Sequence, residues 1–282
     1  MAAPPAPAAP LSPPAAALAL VPGLEAGGAP RYLRRLAGGQ VNDTWRVDTA
    51  SGRFTLRLDG PLARRPGVDR ARELRVHGLA AAAGLAPRIV RAAPGAGVLV
   101  CEFLPGRTWT DQDFRDAAAL GRLGERLQLL HGLAMPPRAG ERFDPCALTQ
   151  GYLEQAQAAG VPLAGADTVL PQLRAAVTAI DAAAATPCVV HGDLPYGNVL
   201  EDARLWLLDW EYAQLADPVY DVACIAAHLP LAVGLQRQLL SASGLGASGD
   251  ARRLPAATFV YRVLTWAWHL ARGERCAAPS LG

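Results

Sequence analysis

The stretch CVVHGDLPYGNVL, residues 188–200, and LWLLDWEY at 205–212 together hold the densest set of polar side chains in an apolar setting in this chain. A short hydrophobic strand delivers His191 and Asp193 to a loop. Asn198 follows five residues after Asp193, and a second hydrophobic strand delivers Asp209 eleven residues beyond Asn198. A hairpin-like return of that length can bring Asp193, Asn198 and Asp209 to one place. Two carboxylates and an amide oxygen at strand ends suit a hard divalent cation, which prefers oxygen ligands and keeps some water. Phosphoryl transfer needs those parts: a metal to neutralise phosphates, and a carboxylate to accept or orient a hydroxyl proton.

Outward from this centre the chain changes character. Toward the N-terminus, Arg31–Leu36, Thr44–Val47 and Arg53–Leu58 read as short strands separated by turn compositions, with further strands at Arg88–Arg91 and Val98–Phe103. Between them, Asp69–Ala83 has small and apolar residues at helical spacing and Gly84 as a C-cap. LeuProGly at 104–106 breaks the chain. Beyond it, Asp111–His131, Tyr152–Ala158, Leu170–Ala185, Pro218–Leu229 and Pro255–Gly273 read as helices. The expected fold class is α+β. An Ala/Pro-rich, partly disordered segment (1–28) precedes a small antiparallel-sheet lobe (29–104) and a larger, mainly helical lobe (105–282).

HGD-x4-N followed by a hydrophobic-Asp pair resembles the catalytic loop and metal-binding Asp of the aminoglycoside phosphotransferase and choline kinase superfamily, which is related to protein kinases. The continuation DWEYA-x3-DPVYDVA, 209–223, is similar to its choline kinase and bacterial thiamine kinase branch. HGD alone is common; the full spacing makes the match specific. The resemblance spans roughly Arg31 to Gly273 and implies a protein-kinase-like bilobal fold. It also implies that Asp193 is the catalytic base, that Asn198 and Asp209 hold Mg2+, and that Asp221 braces the catalytic loop. His191 is then a structural support beneath that loop.

The same resemblance sets expectations for the N-terminal lobe. A kinase needs a basic side chain on a strand to hold ATP phosphates, oriented by a helix carboxylate. The chain contains no lysine, and its 27 basic residues are all arginine. Arg57, in PheThrLeuArgLeu, takes the strand position, with Glu73 as its helix partner. GGQVN at 38–42, including Gly39 and Asn42, resembles the nucleotide loop; read alone it is equally a hairpin turn. Glu102 and Phe103 resemble the hinge that pairs with adenine through main-chain groups.

The acceptor is less legible. A cationic alcohol wants carboxylates or aromatic faces. Trp210 and Glu211, beside Asp209, and Trp266, in a late helix, are the candidates for contacting it. Acidic residues are scattered between 111 and 185, which argues against a polycationic substrate. The leading expectation is an ATP-dependent phosphotransferase acting on a small, cationic alcohol of choline or thiamine type. An antibiotic O-phosphotransferase and a non-catalytic nucleotide-binding module are the alternatives.

A net charge of +2 gives no basis for a nucleic-acid surface or polybasic membrane patch, and nothing implies a protein partner. The five cysteines lack metal-binding spacing, and their odd number fits a reduced, cytoplasmic compartment. The longest apolar run, Val222–Leu235, is too short and too interrupted to span a membrane.

Overall fold

The structure, a computed structural model, describes residues 12–36, 41–60, 63, 65–138, 140–182, 186–194, 196–246 and 248–280. The chain divides into two compact units, 1–64 with 87–105 and 65–86 with 106–282.

The first unit begins with the short helix α1 (Ala15–Leu18) and continues into an antiparallel sheet. Its strands are β1 (Tyr32–Arg35), β2 (Asn42–Thr49), β3 (Gly52–Asp59), β4 (Ile89–Ala93) and β5 (Val98–Glu102), in the order β1-β2-β3-β5-β4. Alternation along β2 and β3 sends Trp45, Val47, Phe54 and Leu56 to one face, where Trp45 pairs with Leu56 and Val47 with Phe54. The N-terminal segment covers that face. Ala17, Val21 and Leu24 join the same apolar cluster, and Thr49 Oγ1 donates to Pro22 O at 2.8 Å. From residue 12 the segment is described, and burial of Val21 and Leu24 stabilises by roughly 1.5–3 kcal/mol each. Residues 1–11 lie outside the described residues. Arg57 is on β3 between Leu56 and Leu58, so it projects from the face opposite the one α1 covers.

The second unit opens with α2 (Arg70–Ala82), capped by Asp69, whose carboxylate accepts from the amides of Ala71 and Arg72. Segment 65–86 was expected in the N-terminal lobe but groups with the second unit, because Val76 and Ala80 bury into that unit's core. Next come β6 (Arg107–Thr108), α3 (Asp111–Arg115) and α4 (Ala117–His131). The expected single helix 111–131 is broken at Asp116, which adopts an extended backbone and accepts from Ala119 N at 2.7 Å. A good N-cap inside an apolar repeat competes with helix continuation. Then follow α5 (Pro145–Ala158), α6 (Ala166–Asp181), β7 (Cys188–Val190), β8 (Val199–Glu201), β9 (Leu205–Leu207), β10 (Gln214–Ala216), α7 (Val219–His228), α8 (Val233–Ala242) and α9 (Ser248–Ala271). The strands form two small sheets, β6-β8-β9 and β7-β10. One apolar core joins α2 and all the longer helices, with α9 packed on α5, α6 and α7. The fold is α+β, with a sheet-built first unit and a mainly helical second unit. Among the described residues, no helix is long and apolar enough to cross a membrane.

Candidate active site

Strand β7 is buried at Val189 and Val190, and it hands the chain to His191, Gly192 and Asp193. His191 is fully buried. Its Nε2 lies 2.8 Å from Leu208 O, and its Nδ1 accepts from Asp193 N at 3.3 Å. This assigns the proton to Nε2. Burial, the largest influence, pushes the imidazole down to about 4, so the ring is a neutral strut across the loop. The ring also packs 4.7 Å from Trp210.

Asp221, fully buried in the first turn of α7, accepts from His191 N at 3.1 Å and from Gly192 N at 2.9 Å. Its Oδ2 also meets His131 Nε2 at 3.0 Å. Gly192 has φ 77°, and a Cβ there would approach Tyr212 O to 2.9 Å, so both backbone conformation and space require glycine.

Asn198 Nδ2 donates to Asp193 O at 2.9 Å and to Asp193 Oδ2 at 3.3 Å. Leu208 N donates to Asn198 O at 2.8 Å, which sets the end of β9 against the loop. Asp209 follows in the left-handed region, φ 60° and ψ 73°, and among the described residues it is the only non-glycine with positive φ. That conformation costs of order 1–3 kcal/mol and persists where the surroundings over-determine it. The site therefore joins Asp193 and Asn198 by hydrogen bonds and sets the strand that ends at Asp209 beside Asn198. Burial pushes the Asp193 carboxyl up to about 7, the negative charge of Glu211 adds to the rise, and Arg65 and Asn198 oppose it.

These groups fit a hard cation. The amide nitrogen of Asn198 is held by Asp193, which leaves Oδ1 as its ligand atom. Among the described residues no cluster of three or more His, Cys, Asp or Glu side chains could hold a metal. One carboxylate and one amide oxygen suit an ion that takes its remaining ligands from phosphate and water.

The three acceptor candidates change role. Trp210 is fully buried and donates from Nε1 to Leu207 O at 3.0 Å. The left-handed turn at Asp209 drives it inward. Trp266 is also in the core. Glu211 is buried between two arginines: it accepts from Arg65 Nη2, and from Arg70 Nη1 at 3.1 Å. A neutralised carboxylate is a poor partner for a cationic acceptor. Sequence reasoning missed Arg65, Tyr152 and Tyr212. Arg65 Nε donates to the Tyr212 hydroxyl at 2.5 Å, which lies 2.8 Å from that of Tyr152. Burial raises both phenols, Tyr152 to about 12, so both stay protonated. The one available signal was Glu211 itself, since a carboxylate in an apolar run needs a basic partner if it is buried.

Of the nucleotide candidates, Gly39 lies outside the described residues. Asn42 is buried at the start of β2. Arg57 belongs to the first unit, whereas Glu73 belongs to the second, where Arg70 Nη1 donates to it at 2.7 Å. Glu102 N donates to Arg88 O and Phe103 N to Arg53 O, each at 3.0 Å. The expected main-chain pairing at 102–103 is thereby narrowed to carbonyl oxygens, because both N–H groups are taken.

Residues 33–256 match the APH family, described as the phosphotransferase enzyme family. The chain is similar to a choline/ethanolamine kinase family protein of Mesorhizobium loti, with 27% identity and a TM-score of 0.73 over 92% of this chain and 86% of that one. It also resembles the choline kinase LicA of Streptococcus pneumoniae in fold, at 18% identity and a TM-score of 0.74, covering 90% of each chain. Protein LicA of Haemophilus influenzae is 50% identical over 46 residues, which span 15% of this chain and only 16% of that relative's length.

Proposed function

The chain belongs to the phosphotransferase enzyme family, and from that premise we propose that it moves the γ-phosphate of ATP to the hydroxyl of a small alcohol of choline, ethanolamine or thiamine type. The observation that carries this reading is the loop in which Asn198 binds Asp193 while Asp221 holds two neighbouring backbone amides. The kinase names of the similar proteins support the same class of acceptor.

In this reading Asp193 accepts or orients the acceptor's hydroxyl proton. A carboxyl raised to about 7 is well matched to that task near neutral pH. Asn198 and Asp209 would hold Mg2+, which when bound supplies positive charge to the phosphates. Arg57, Asn42 and the glycines around Gly39 would position the triphosphate. Glu73 would serve as the helix carboxylate of that arrangement. The buried Arg65–Glu211–Arg70 set keeps a negative charge near Asp193 without leaving it unpaired. Most of the acceleration would come from positioning and electrostatics.

The test is a coupled ADP-release assay with Mg-ATP against choline, ethanolamine, thiamine, sugars and aminoglycosides. The expected result is turnover with one cationic alcohol, reduced about 10²–10⁴-fold in Asp193→Asn. Turnover with an aminoglycoside instead would transfer the reading to antibiotic modification. Nucleotide binding with no turnover on any acceptor would favour the non-catalytic module, and wild-type turnover in the mutant would sink the role given to Asp193.

A further inference from the structure

At the end of the β7–β10 ladder remote from the catalytic loop, the second unit has a recess of about 430 Å3. Ala216 pairs there with Cys188, whereas Gln214 pairs with Val190, next to His191. The starts of α5 and α7 and the end of α6 surround it. Three carboxylates line it, Asp144, Asp181 and Asp217, with one cation, Arg142. Asp217 is already neutralised: its Oδ2 pairs with Arg253, and its Oδ1 accepts from Val219 N at 2.9 Å. Asp144 spends Oδ1 on Ala147 N, at 2.9 Å, and its Oδ2 accepts from no described residue. Asp181 pairs with Arg142 at 4.0 Å, and with side chains 65% and 70% exposed this pair contributes little. The decisive group is Tyr220, which is only 5% exposed. Its ring packs edge-on against Phe143, with centroids 4.8 Å apart, and its hydroxyl has no hydrogen-bond partner among the described residues. Unlike the Thr149 hydroxyl, which is sealed in the core without a partner, it remains open to the recess. Burial, and then the negative charges of Asp181 and Asp217, raise the phenol above its ordinary value, so the hydroxyl end faces those carboxylates.

We propose that this recess binds a small primary amine with an apolar body. The ammonium lies by Asp144 and Asp181 and donates to the Tyr220 oxygen, while the body rests on Val177, Ile180 and Pro187, which also line the recess. The volume is in the range of small-ligand sites, where apolar walls carry a few placed polar groups. With Asp217 neutralised, two carboxylates face the single guanidinium of Arg142, so the local charge favours a cation. An ammonium offers three donors and no acceptor, which suits two carboxylates and a phenol oxygen. Its hydrogen bonds to carboxylate are charge-assisted and hence among the stronger ones. Among the described residues no three His, Cys, Asp or Glu side chains are placed to hold a metal, so an organic cation fits better than a bare ion. A quaternary ammonium has no N–H to give the Tyr220 oxygen, which separates this ligand from an acceptor of choline type.

The site stands apart from phosphoryl transfer, and its test needs neither ATP nor an acceptor. Fluorine NMR would titrate the whole protein with 4-fluorophenethylamine and with 4-fluorophenethyl alcohol, its neutral counterpart. The amine is expected to bind with a millimolar dissociation constant and the alcohol about tenfold more weakly. Asp181→Arg reverses an exposed charge at the last residue of α6, where a basic side chain suits the helix end, and should abolish amine binding. Tyr220→Phe removes only the unpartnered hydroxyl. It should keep the melting temperature at or above that of wild type and weaken the amine about fivefold. Neither substitution alters Asp193 or its loop, so an amine held at the acceptor site would bind both variants like wild type, and that result would overturn the recess. Equal affinity for amine and alcohol would overturn the choice of a cation. Wild-type affinity in Tyr220→Phe alone, or a lowered melting temperature there, would overturn the role of the hydroxyl.

Discussion

The loop at 191–198 and the sheet face around Arg46 both gather polar groups, but different forces hold them. In the loop, the groups close on one another away from water: His191 spans from Asp193 N to Leu208 O, and the fully buried Asp221 takes two amides. On the sheet, the Arg46 guanidinium lies 4.9 Å from the Tyr32 ring centroid and 4.6 Å from that of Phe103, and it pairs with Asp48 at 2.8 and 2.6 Å. Tyr32 is 41% exposed, so water can replace what Arg46 supplies. A buried polar arrangement is enforced because breaking it leaves groups unsatisfied, whereas a wet one is only preferred.

The contrast can be broken at four points. Asp221→Ala strips two buried amides and His131 of their acceptor, and chemical unfolding should show a loss of about 3–5 kcal/mol together with loss of turnover. A loss under 1 kcal/mol would mean that the loop does not depend on this carboxylate.

The next effect is a pH dependence. The His191 ring titrates near 6.5 when unfolded and near 4 when folded, so between those values the unfolded chain binds more protons. Stability should fall as pH drops through that window, by about 3 kcal/mol in total. Urea titrations from pH 7 to 4 should give a flatter profile for His191→Gln; identical profiles would remove His191 as the source.

Gly192→Ala places a Cβ in the left-handed region, with an expected penalty of about 1–2 kcal/mol before the contact with Tyr212 O is counted. A melting temperature equal to wild type would show that the loop can shift without penalty. Arg46→Ala should do least, moving the melting temperature by no more than about 3 °C, since partly exposed ion pairs contribute little. A drop as large as that of Asp221→Ala would erase the distinction between the two regions.

The loop was legible in the sequence because His191, Asp193, Asn198, Asp209 and Asp221 fall within one short stretch whose spacing fixes which strand ends meet. Arg65 was not, since its partner Glu211 lies 146 positions away and only tertiary packing joins them. The two tyrosines that meet at 152 and 212 are invisible for the same reason. Trp210 and Trp266 were read toward the acceptor because aromatic rings beside a site suit a cation, but side-chain direction depends on local backbone that spacing does not reveal. The helix break at Asp116 and the apolar anchors of the N-terminal segment were hidden by composition. A strong cap was buried in a helical pattern, and two apolar anchors, Val21 and Leu24, sat in an Ala/Pro-rich run.

That N-terminal segment has a practical consequence for anyone who shortens the chain. Trimming to the family match, 33–256, would delete Ala17, Val21 and Leu24, along with most of α9, including the buried Phe259, Val260 and Val263. Trp45, Val47, Phe54 and Leu56 would then face solvent as a contiguous greasy strip, and the helical unit would open along its longest helix. Such a fragment should self-associate and precipitate rather than behave as a minimal enzyme, so the working boundaries of this protein extend well past the recognisable domain at both ends.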